Sequence, residues 1–127
     1  MICIVDDDPF VRSATADLLD SLGYSAAAFD SAESFLGSKQ AEAASCLILD
    51  CQLPGLSGPD LQDRLRVDGC PAAIIFITAF PNDNEQARTL GAGAVAYLSK
   101  PCSEDDLIAS IRAALSRYHM VAEAAHR

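Results

Sequence analysis

Five short runs of apolar residues recur along the chain, and each has about the length of a β-strand. They span 2–5, 24–29, 46–49, 73–77 and 95–98. Three of them are rich in β-branched or large aliphatic side chains and lack polar alternation, which is typical of parallel strands covered on both faces. The run at 24–29 is the weakest because alanine favours helices. We assign it to a strand because it lies between Gly23 and a helix-start signal.

Segments with helical periodicity separate these runs. Asp8 and Pro9 provide an N-cap and a proline at the first helical position of the first helix, which Gly23 ends. The second helix begins at residue 30 or 31 and ends near 37, the third spans 58–69, the fourth starts at 82 or 83 and ends at 91–93, and the fifth begins at 103. Residues 37–45 are predicted to be a surface loop with a short helical tail.

Apolar residues at helical spacing predict which faces of the first and last helices are buried. For the first helix they are Phe10, Ala14, Leu18 and Leu22, and for the fifth they are Leu107, Ile108, Ile111, Leu115 and Tyr118.

Five strand–helix alternations predict an α/β protein, with a parallel sheet between two layers of helices in a three-layer αβα sandwich. Five such units take about 120 residues. The 127 residues of this chain therefore leave no room for a second folded domain.

Composition narrows the classes of partner. The chain carries 18 acidic and 9 basic residues, a net charge of −9, which argues against direct binding to nucleic acid. The start of the chain does not resemble a signal peptide, and the apolar stretch at 72–80 is far shorter than the roughly 20 residues that span a bilayer. Five scattered cysteines without a C-x-x-C pattern are typical of reduced thiols. We expect a cytoplasmic protein with no membrane or direct nucleic-acid partner.

Polar side chains follow four of the five apolar runs. Asp6 and Asp7 come after the first, Asp50 after the third, Thr78 after the fourth and Lys100 after the fifth. Because all strands of a parallel sheet end at one edge, where ligands bind, we expect these side chains to share one pocket.

A cluster of carboxylates restricts the chemistry of such a pocket. Two carboxylates about 4 Å apart repel each other by roughly 4 kcal/mol at an effective dielectric constant near 20, so the cluster requires a raised pKa or a bound cation. Carboxylate and carbonyl oxygens favour Mg²⁺ over Ca²⁺ or Mn²⁺. An acidic metal site beside a hydroxyl and a lysine indicates phosphoryl chemistry, in which a carboxylate is a known acceptor.

Four motifs, in order and properly spaced, resemble the response-regulator receiver domain of the CheY-like superfamily. They lie at 4–8, 49–58, 77–79 and 97–101, and residues 31–36 and 53–58 look closest to the FixJ-like branch, whose members often carry a C-terminal DNA-binding domain. The resemblance implies a flavodoxin-like (βα)5 fold with strand order 2-1-3-4-5. It also implies a receiver domain at 1–120, followed at 121–127 by an extension of the fifth helix or the start of a linker.

The resemblance further implies the roles of the acidic residues. Asp50 would accept a phosphoryl group from the phosphohistidine of a sensor histidine kinase or phosphotransfer protein. Asp6, Asp7 and Asp50, with the backbone carbonyl of Gln52, would hold Mg²⁺, for which Mn²⁺ is a possible substitute.

The remaining implied roles belong to residues at the ends of the fourth and fifth strands. Lys100 would neutralise phosphoryl oxygens, Thr78 would move to hydrogen-bond one of them, and Tyr97 would turn inward as the aromatic switch. The Lys100–Pro101 bond is expected to be cis. Phosphorylation would change the surface of the fourth helix, fifth strand and fifth helix, and a homodimer through the fourth helix and fifth strand is possible. The activity expected is self-phosphorylation from donors and autodephosphorylation, not that of a classical enzyme.

Other functions were weighed against the same residues. An aspartyl-nucleophile phosphatase typically needs an acid two residues after the nucleophile, where this chain has Gln52. A flavodoxin-type loop offers amides to a phosphate, which three aspartates would repel. The acid pair, Asp50, Thr78 and Lys100 argue against a degenerate receiver that acts as a phosphorylation-independent interaction module, and an assay decides between the two. Beside the site, Phe80 is expected to shield an acyl-phosphate from water, and Cys51 to be a buried strand cysteine.

Overall fold

The apolar runs form the strands of one sheet in a computed structural model that describes residues 1–125. The strands are β1 Ile2–Val5, β2 Ala26–Phe29, β3 Cys46–Asp50, β4 Ala73–Thr78 and β5 Ala96–Ser99. The helices are α1 Pro9–Ser21, α2 Ala32–Leu36, α3 Gln40–Ala43, α4 Gly58–Val67, α5 Asp83–Gly91 and α6 Glu104–Ala125. All neighbouring strands pair in parallel in the order β2-β1-β3-β4-β5, which confirms the predicted topology.

Alternate residues of the central strands face opposite layers of helices. Cys3 and Val5 of β1 pack in the core beneath α2 and α4, whereas Ile2 and Ile4 pack in the core beneath α1 and α6. Because both faces are covered, β1, β3 and β4 are buried along their whole length. The predicted three-layer αβα sandwich is therefore confirmed.

The weak strand and the predicted loop are also present. The strand predicted at 24–29 is shorter, because β2 begins at Ala26, and it forms one of the two partly exposed edges of the sheet. The short helical tail predicted within 37–45 is α3, so the predicted fourth and fifth helices are α5 and α6.

Polar side chains cap the helices, at Asp8 and Asn82 as predicted and at Ser57, for which no cap was predicted. The Asp8 carboxylate accepts hydrogen bonds from the Phe10 N–H at 2.9 Å and the Val11 N–H at 3.4 Å. Ser57 and Asn82 cap α4 and α5 in the same way. These three helices start beyond the carboxyl ends of β1, β3 and β4, so their caps help to shape that edge of the sheet.

The predicted buried stripe of α1 is only partly right, because Leu18 is half-buried and packs against the core but the fully buried row lies one residue further along. Phe10 is 85% exposed and Ala14 is exposed, whereas Thr15 and Leu19 are buried. The helix carries two adjacent rows of residues spaced by four, and the row that faces the sheet contains a threonine. Counting apolar residues favours the other row, because only packing against the sheet distinguishes two rows about 100° apart.

The last helix is long and continues to Ala125. Leu107 and Ile111 are buried as predicted, together with Ala114, while the other three predicted positions, Ile108, Leu115 and Tyr118, are half-buried. Within the segment predicted at 121–127, residues 126–127 lie outside the described part of the chain, and the domain boundary at 120 stays a prediction. None of the helices within residues 1–125 combines the length and apolar composition needed to cross a bilayer.

Candidate functional site

Three carboxylates meet at the carboxyl edge of the sheet. Asp6 and Asp7 directly follow β1, and Asp50 is the last residue of β3, the neighbouring strand. One carboxylate oxygen from each lies within 4.8 Å of the others. Asp6 and Asp50 are only 3% and 4% exposed, while Asp7 faces solvent. The convergence expected from the strand ends is present.

Asp6 and Asp50 are held in matching ways. The Asp8 N–H donates to Oδ1 of Asp6 at 2.9 Å, and the Gln52 N–H donates to Oδ1 of Asp50 at 3.0 Å. In both cases the donor lies two residues further along the chain, as in a local aspartate turn. These bonds leave Oδ2 of each carboxylate directed towards Lys100, whose Nζ lies 2.9 Å from Asp6 and 3.2 Å from Asp50.

The electrostatics of the site follow from burial and from Lys100. Burial raises the pKa of Asp50, the charge of Asp6 raises it further, and the Gln52 N–H and Lys100 oppose the shift. Burial disfavours the charge of Lys100, but its hydrogen bond to Asp6 and the nearby charge of Asp50 outweigh burial and raise its pKa. One ammonium thus serves two buried carboxylates, and the cluster keeps an excess of negative charge.

The donor set suits a hard divalent cation. It consists of carboxylate oxygens on three residues that are close enough to share one ion. Mg²⁺ binds through a few carboxylates and retains several waters, and the exposure of Asp7 leaves one side of the cluster open to solvent. The excess negative charge favours an ion at this position.

Lys100 reaches the carboxylates from the end of β5. The backbone N–H of Lys100 donates to the carbonyl oxygen of Thr78 at 2.7 Å, and this hydrogen bond connects the segment after β5 to the end of β4. The Lys100–Pro101 peptide bond is cis.

Thr78, the last residue of β4, is fully buried beside the cluster. Its hydroxyl donates to Oε1 of Gln52 at 2.9 Å and accepts from the Phe80 N–H at 3.1 Å. The sequence predicted a role for the backbone carbonyl of Gln52 but did not predict this contact of its side chain. No local pattern announces the contact, because it joins two strand ends 26 residues apart.

Tyr97 lies on β5 and joins that strand to the start of α5. Its hydroxyl donates to the Glu85 carboxylate at 2.7 Å and accepts from the Asn82 N–H at 3.2 Å. Burial, followed by the hydrogen bond to Glu85, raises the pKa of Tyr97 to about 12. Glu85 was not identified from the sequence as part of this region.

Two further expectations concern the neighbours of the site. Cys51 is 2% exposed, and burial raises the pKa of its thiol, with Glu85 adding to the shift. A thiol of this kind is a poor nucleophile, as expected of a buried strand cysteine. Phe80 is 72% exposed, so other residues cover little of its ring, and its shielding of an acyl-phosphate stays a prediction.

Replacing Asp50 with asparagine should raise the melting temperature by a few degrees in the absence of divalent cations. The substitution removes a buried charge. The asparagine oxygen can still accept a hydrogen bond from the Gln52 N–H, and Lys100 retains its ion pair with Asp6. The pKa of Asp50 is raised in the folded protein, so ionising Asp50 lowers the stability of the fold. This loss of stability is complete at a pH above the native pKa and absent at a pH below the ordinary pKa of an aspartate.

The stability advantage of Asp50→Asn should therefore be largest at neutral pH and shrink as the pH falls through the native pKa of Asp50. Thermal denaturation of the two proteins in EDTA at several pH values measures it. An equal melting temperature at neutral pH would contradict the assignment of excess negative charge to this cluster.

Comparison with known proteins gives a consistent result. A family model described as the response regulator receiver domain matches residues 2–112. The response regulator protein TodT of Pseudomonas putida is 40% identical over 115 residues, which is 91% of this chain and 51% of TodT. The transcriptional regulatory protein FixJ of Bradyrhizobium diazoefficiens is 32% identical over 114 residues, 90% of this chain and 56% of FixJ. The chain thus spans about half the length of these curated relatives.

Solved structures agree with the sequence relatives. The structure of the response regulator StyR superposes with a TM-score of 0.91 and 35% identity, covering 98% of this chain and 63% of that one. The fold is that of CheY-like receiver domains, as the sequence motifs predicted. The relatives are response regulators and transcriptional regulators, which are signalling proteins. The chain belongs to the response regulator receiver domain family and is the receiver domain of a two-component response regulator.

Proposed function

We propose that Asp50 accepts a phosphoryl group from the phosphohistidine of a sensor histidine kinase or phosphotransfer protein. The observation that carries this proposal is the meeting of three carboxylates within 4.8 Å, with the Lys100 ammonium 3.2 Å from Asp50. Mg²⁺ would be held by Asp6, Asp7 and Asp50, with the backbone carbonyl of Gln52 as a further ligand, and Mn²⁺ is a possible substitute.

The choice of Asp50 over Asp6 rests on the order of the strands. The two carboxylates have equivalent hydrogen bonds, so their local geometry does not distinguish an acceptor. Asp50, however, ends β3, which pairs directly with β4, whereas β1 does not. A phosphoryl group on Asp50 is therefore next to the strand that ends in Thr78, and one on Asp6 is a strand further away.

The chain's own residues provide the nucleophile and part of the charge compensation. A carboxylate oxygen of Asp50 attacks phosphorus, the bond from phosphorus to the histidine nitrogen breaks, and the imidazole leaves. Asp6, Asp7 and Asp50 would hold Mg²⁺ beside the phosphoryl oxygens, where the ion would supply charge neutralisation. Lys100 lies where it can pair with the same oxygens, because its Nζ already contacts Asp50. Transfer of this kind depends on positioning and electrostatics more than on acid–base groups.

The signal would leave through Thr78 and Tyr97. The Thr78 hydroxyl bonds to Gln52 in this structure, so it must give up that partner to bind a phosphoryl oxygen. Tyr97 bridges β5 and the start of α5 through Glu85 and Asn82, and its movement would alter the surface of α5, β5 and α6. Phosphorylation would then favour one of two pre-existing arrangements of this surface.

What the domain controls after phosphorylation is also part of the proposal. The curated relatives include transcriptional regulators about twice as long as this chain, so we propose that this domain controls an output domain or partner in transcription regulation. The homodimer through α5 and β5 stays a prediction.

Incubation with acetyl phosphate and Mg²⁺ tests the proposal. The expected result is the addition of one acid-labile phosphoryl group, seen by intact-protein mass spectrometry, and its absence when EDTA replaces Mg²⁺. A chain that acquires no phosphoryl group from acetyl phosphate or from phosphoramidate, while remaining folded by circular dichroism, would favour the phosphorylation-independent module.

A further inference from the structure

The segment that follows Asp50 is hydrogen-bonded to α2, the helix that follows β2. Leu56 lies in the loop between β3 and α4, and its N–H donates to Oε1 of Glu33 at 2.7 Å. Glu33 is in the first turn of α2, which Ser31 caps through a hydrogen bond from the Ser34 N–H at 3.0 Å. The carboxylate therefore projects from a fixed helix start onto a loop 23 residues away.

A second observation independently places Glu33 over this loop. Gly55 has φ +75°, and a β-carbon at that position would lie 2.8 Å from Oε1 and 3.2 Å from Oε2 of Glu33. The backbone angle alone favours glycine. The carboxylate, however, also occupies the space that any larger residue would need.

The other end of the same segment touches the site. The Gln52 N–H binds Asp50, and the Gln52 side chain accepts from the Thr78 hydroxyl. The segment is thus held at Gln52 by the acceptor strand and at Leu56 by Glu33. Its conformation between these points decides where the carbonyl and the amide of Gln52 lie.

We propose that Glu33 is a positioning residue of the phosphoacceptor site, which holds residues 52–56 so that Gln52 presents its backbone carbonyl to the metal ion. This inference rests on the proposed function. Glu33 would touch neither the ion nor the phosphoryl group, and it would act through the Leu56 N–H alone. A hydrogen bond to an ionised acceptor is among the stronger ones available to a loop.

The binding of Mg²⁺, measured by isothermal titration calorimetry, tests the proposal. Glu33→Ala should weaken binding by about tenfold, as removal of partners that orient metal ligands commonly does. Glu33→Gln should retain most of the wild-type affinity for Mg²⁺, because an amide oxygen can accept the same hydrogen bond. Glu42→Ala is the matched control, since Glu42 lies on α3 away from this loop, and it should bind Mg²⁺ like the wild type.

The substitution of Gly55 provides a second variant. Gly55→Ala should displace the Glu33 carboxylate and weaken Mg²⁺ binding. Because both changes break one contact, the effects of Glu33→Ala and Gly55→Ala should not add in the double variant. Fully additive effects would overturn the use of Gly55 as support for the contact, since Gly55→Ala would then act only through its own backbone angle.

The Leu56 N–H reports on the contact without any metal. Its hydrogen exchange, followed by NMR in EDTA, should be about tenfold faster in Glu33→Ala than in the wild type or in Glu33→Gln. Faster exchange with an unchanged Mg²⁺ affinity would overturn the positioning role while leaving the proposed function intact. Unchanged exchange would overturn the contact itself. A wild-type chain that binds no Mg²⁺ would instead refute the proposed function, and this inference with it.

Discussion

Asp50→Asn is expected to abolish phosphorylation of this chain by acetyl phosphate or by a cognate kinase. The asparagine amide has the shape of the carboxylate and can accept the same hydrogen bond from the Gln52 N–H, but it is not a nucleophile for phosphorus. The loss of phosphorylation should be complete rather than partial, because Asp50 is the single proposed acceptor. It was chosen over Asp6 because it lies beside the strand that ends in Thr78. Mass spectrometry of the intact protein measures the phosphorylated fraction.

Two further variants separate the acceptor from its neighbours. Asp30→Asn removes an exposed carboxylate just after β2 that is not part of the cluster, and it should be phosphorylated like the wild type. Asp6→Asn should lower the rate and raise the Mg²⁺ concentration required, because it removes a proposed metal ligand and a partner of Lys100. Equal labelling of Asp50→Asn and the wild type would refute the assignment of the acceptor. Complete loss in Asp6→Asn at saturating Mg²⁺, with labelling retained in Asp50→Asn, would move it to Asp6.

Gly58→Ala is expected to destabilise the fold by about 3 kcal/mol or more. A β-carbon on Gly58, the first residue of α4, would overlap the carbonyl oxygen of Asp50 and lie 2.9 Å from the α-carbon of Cys51. Both obstacles are backbone atoms, which cannot move aside as a flexible side chain can. The Gly58 N–H also donates to the carbonyl of Cys51 at 3.1 Å, so a shift of α4 would break this bond as well.

Urea denaturation at neutral pH gives the free energy of unfolding of the Gly58→Ala variant. Gly91→Ala is the matched control, because a β-carbon on Gly91, the last residue of α5, would meet no atom within 4 Å. That substitution should be neutral or slightly stabilising. A Gly58→Ala variant as stable as the wild type would contradict the close approach of α4 to the acceptor strand. The surviving folded fraction should also be phosphorylated more slowly, because the strain falls on the backbone of Asp50 itself.

Most of the candidate site was predictable because its residues lie at the carboxyl ends of parallel strands. In a parallel sheet all strands end at one edge, so Asp6, Asp7, Asp50 and Lys100 could be brought together without knowing any other contact. The helix caps were predictable for a related reason, since the Asp8 side chain satisfies N–H groups only two and three residues away. Both kinds of prediction need only local geometry or the direction of the chain.

Contacts between side chains from distant segments were not predictable in this way. The bond between Thr78 and Gln52 joins residues on different strand ends, and that between Glu33 and Leu56 joins a helix to a loop. Each depends on how far one layer is shifted relative to another, and the polar residues involved are equally compatible with solvent-exposed positions. The row of α1 that faces the sheet was missed for the same reason.

The sequence by itself thus determined the α/β class, the five repeating units, the acidic edge of the sheet and the family. The class, the units and the acidic edge follow from periodicity and from the order of elements along the chain, and the family follows from the resemblance of four motifs. Only the tertiary structure decided that Lys100 is shared by Asp6 and Asp50, that Gln52 binds the Thr78 hydroxyl, and that Glu33 lies over Gly55. Distances of this kind are set by packing between layers, because many arrangements of the same pattern bury the same apolar surface.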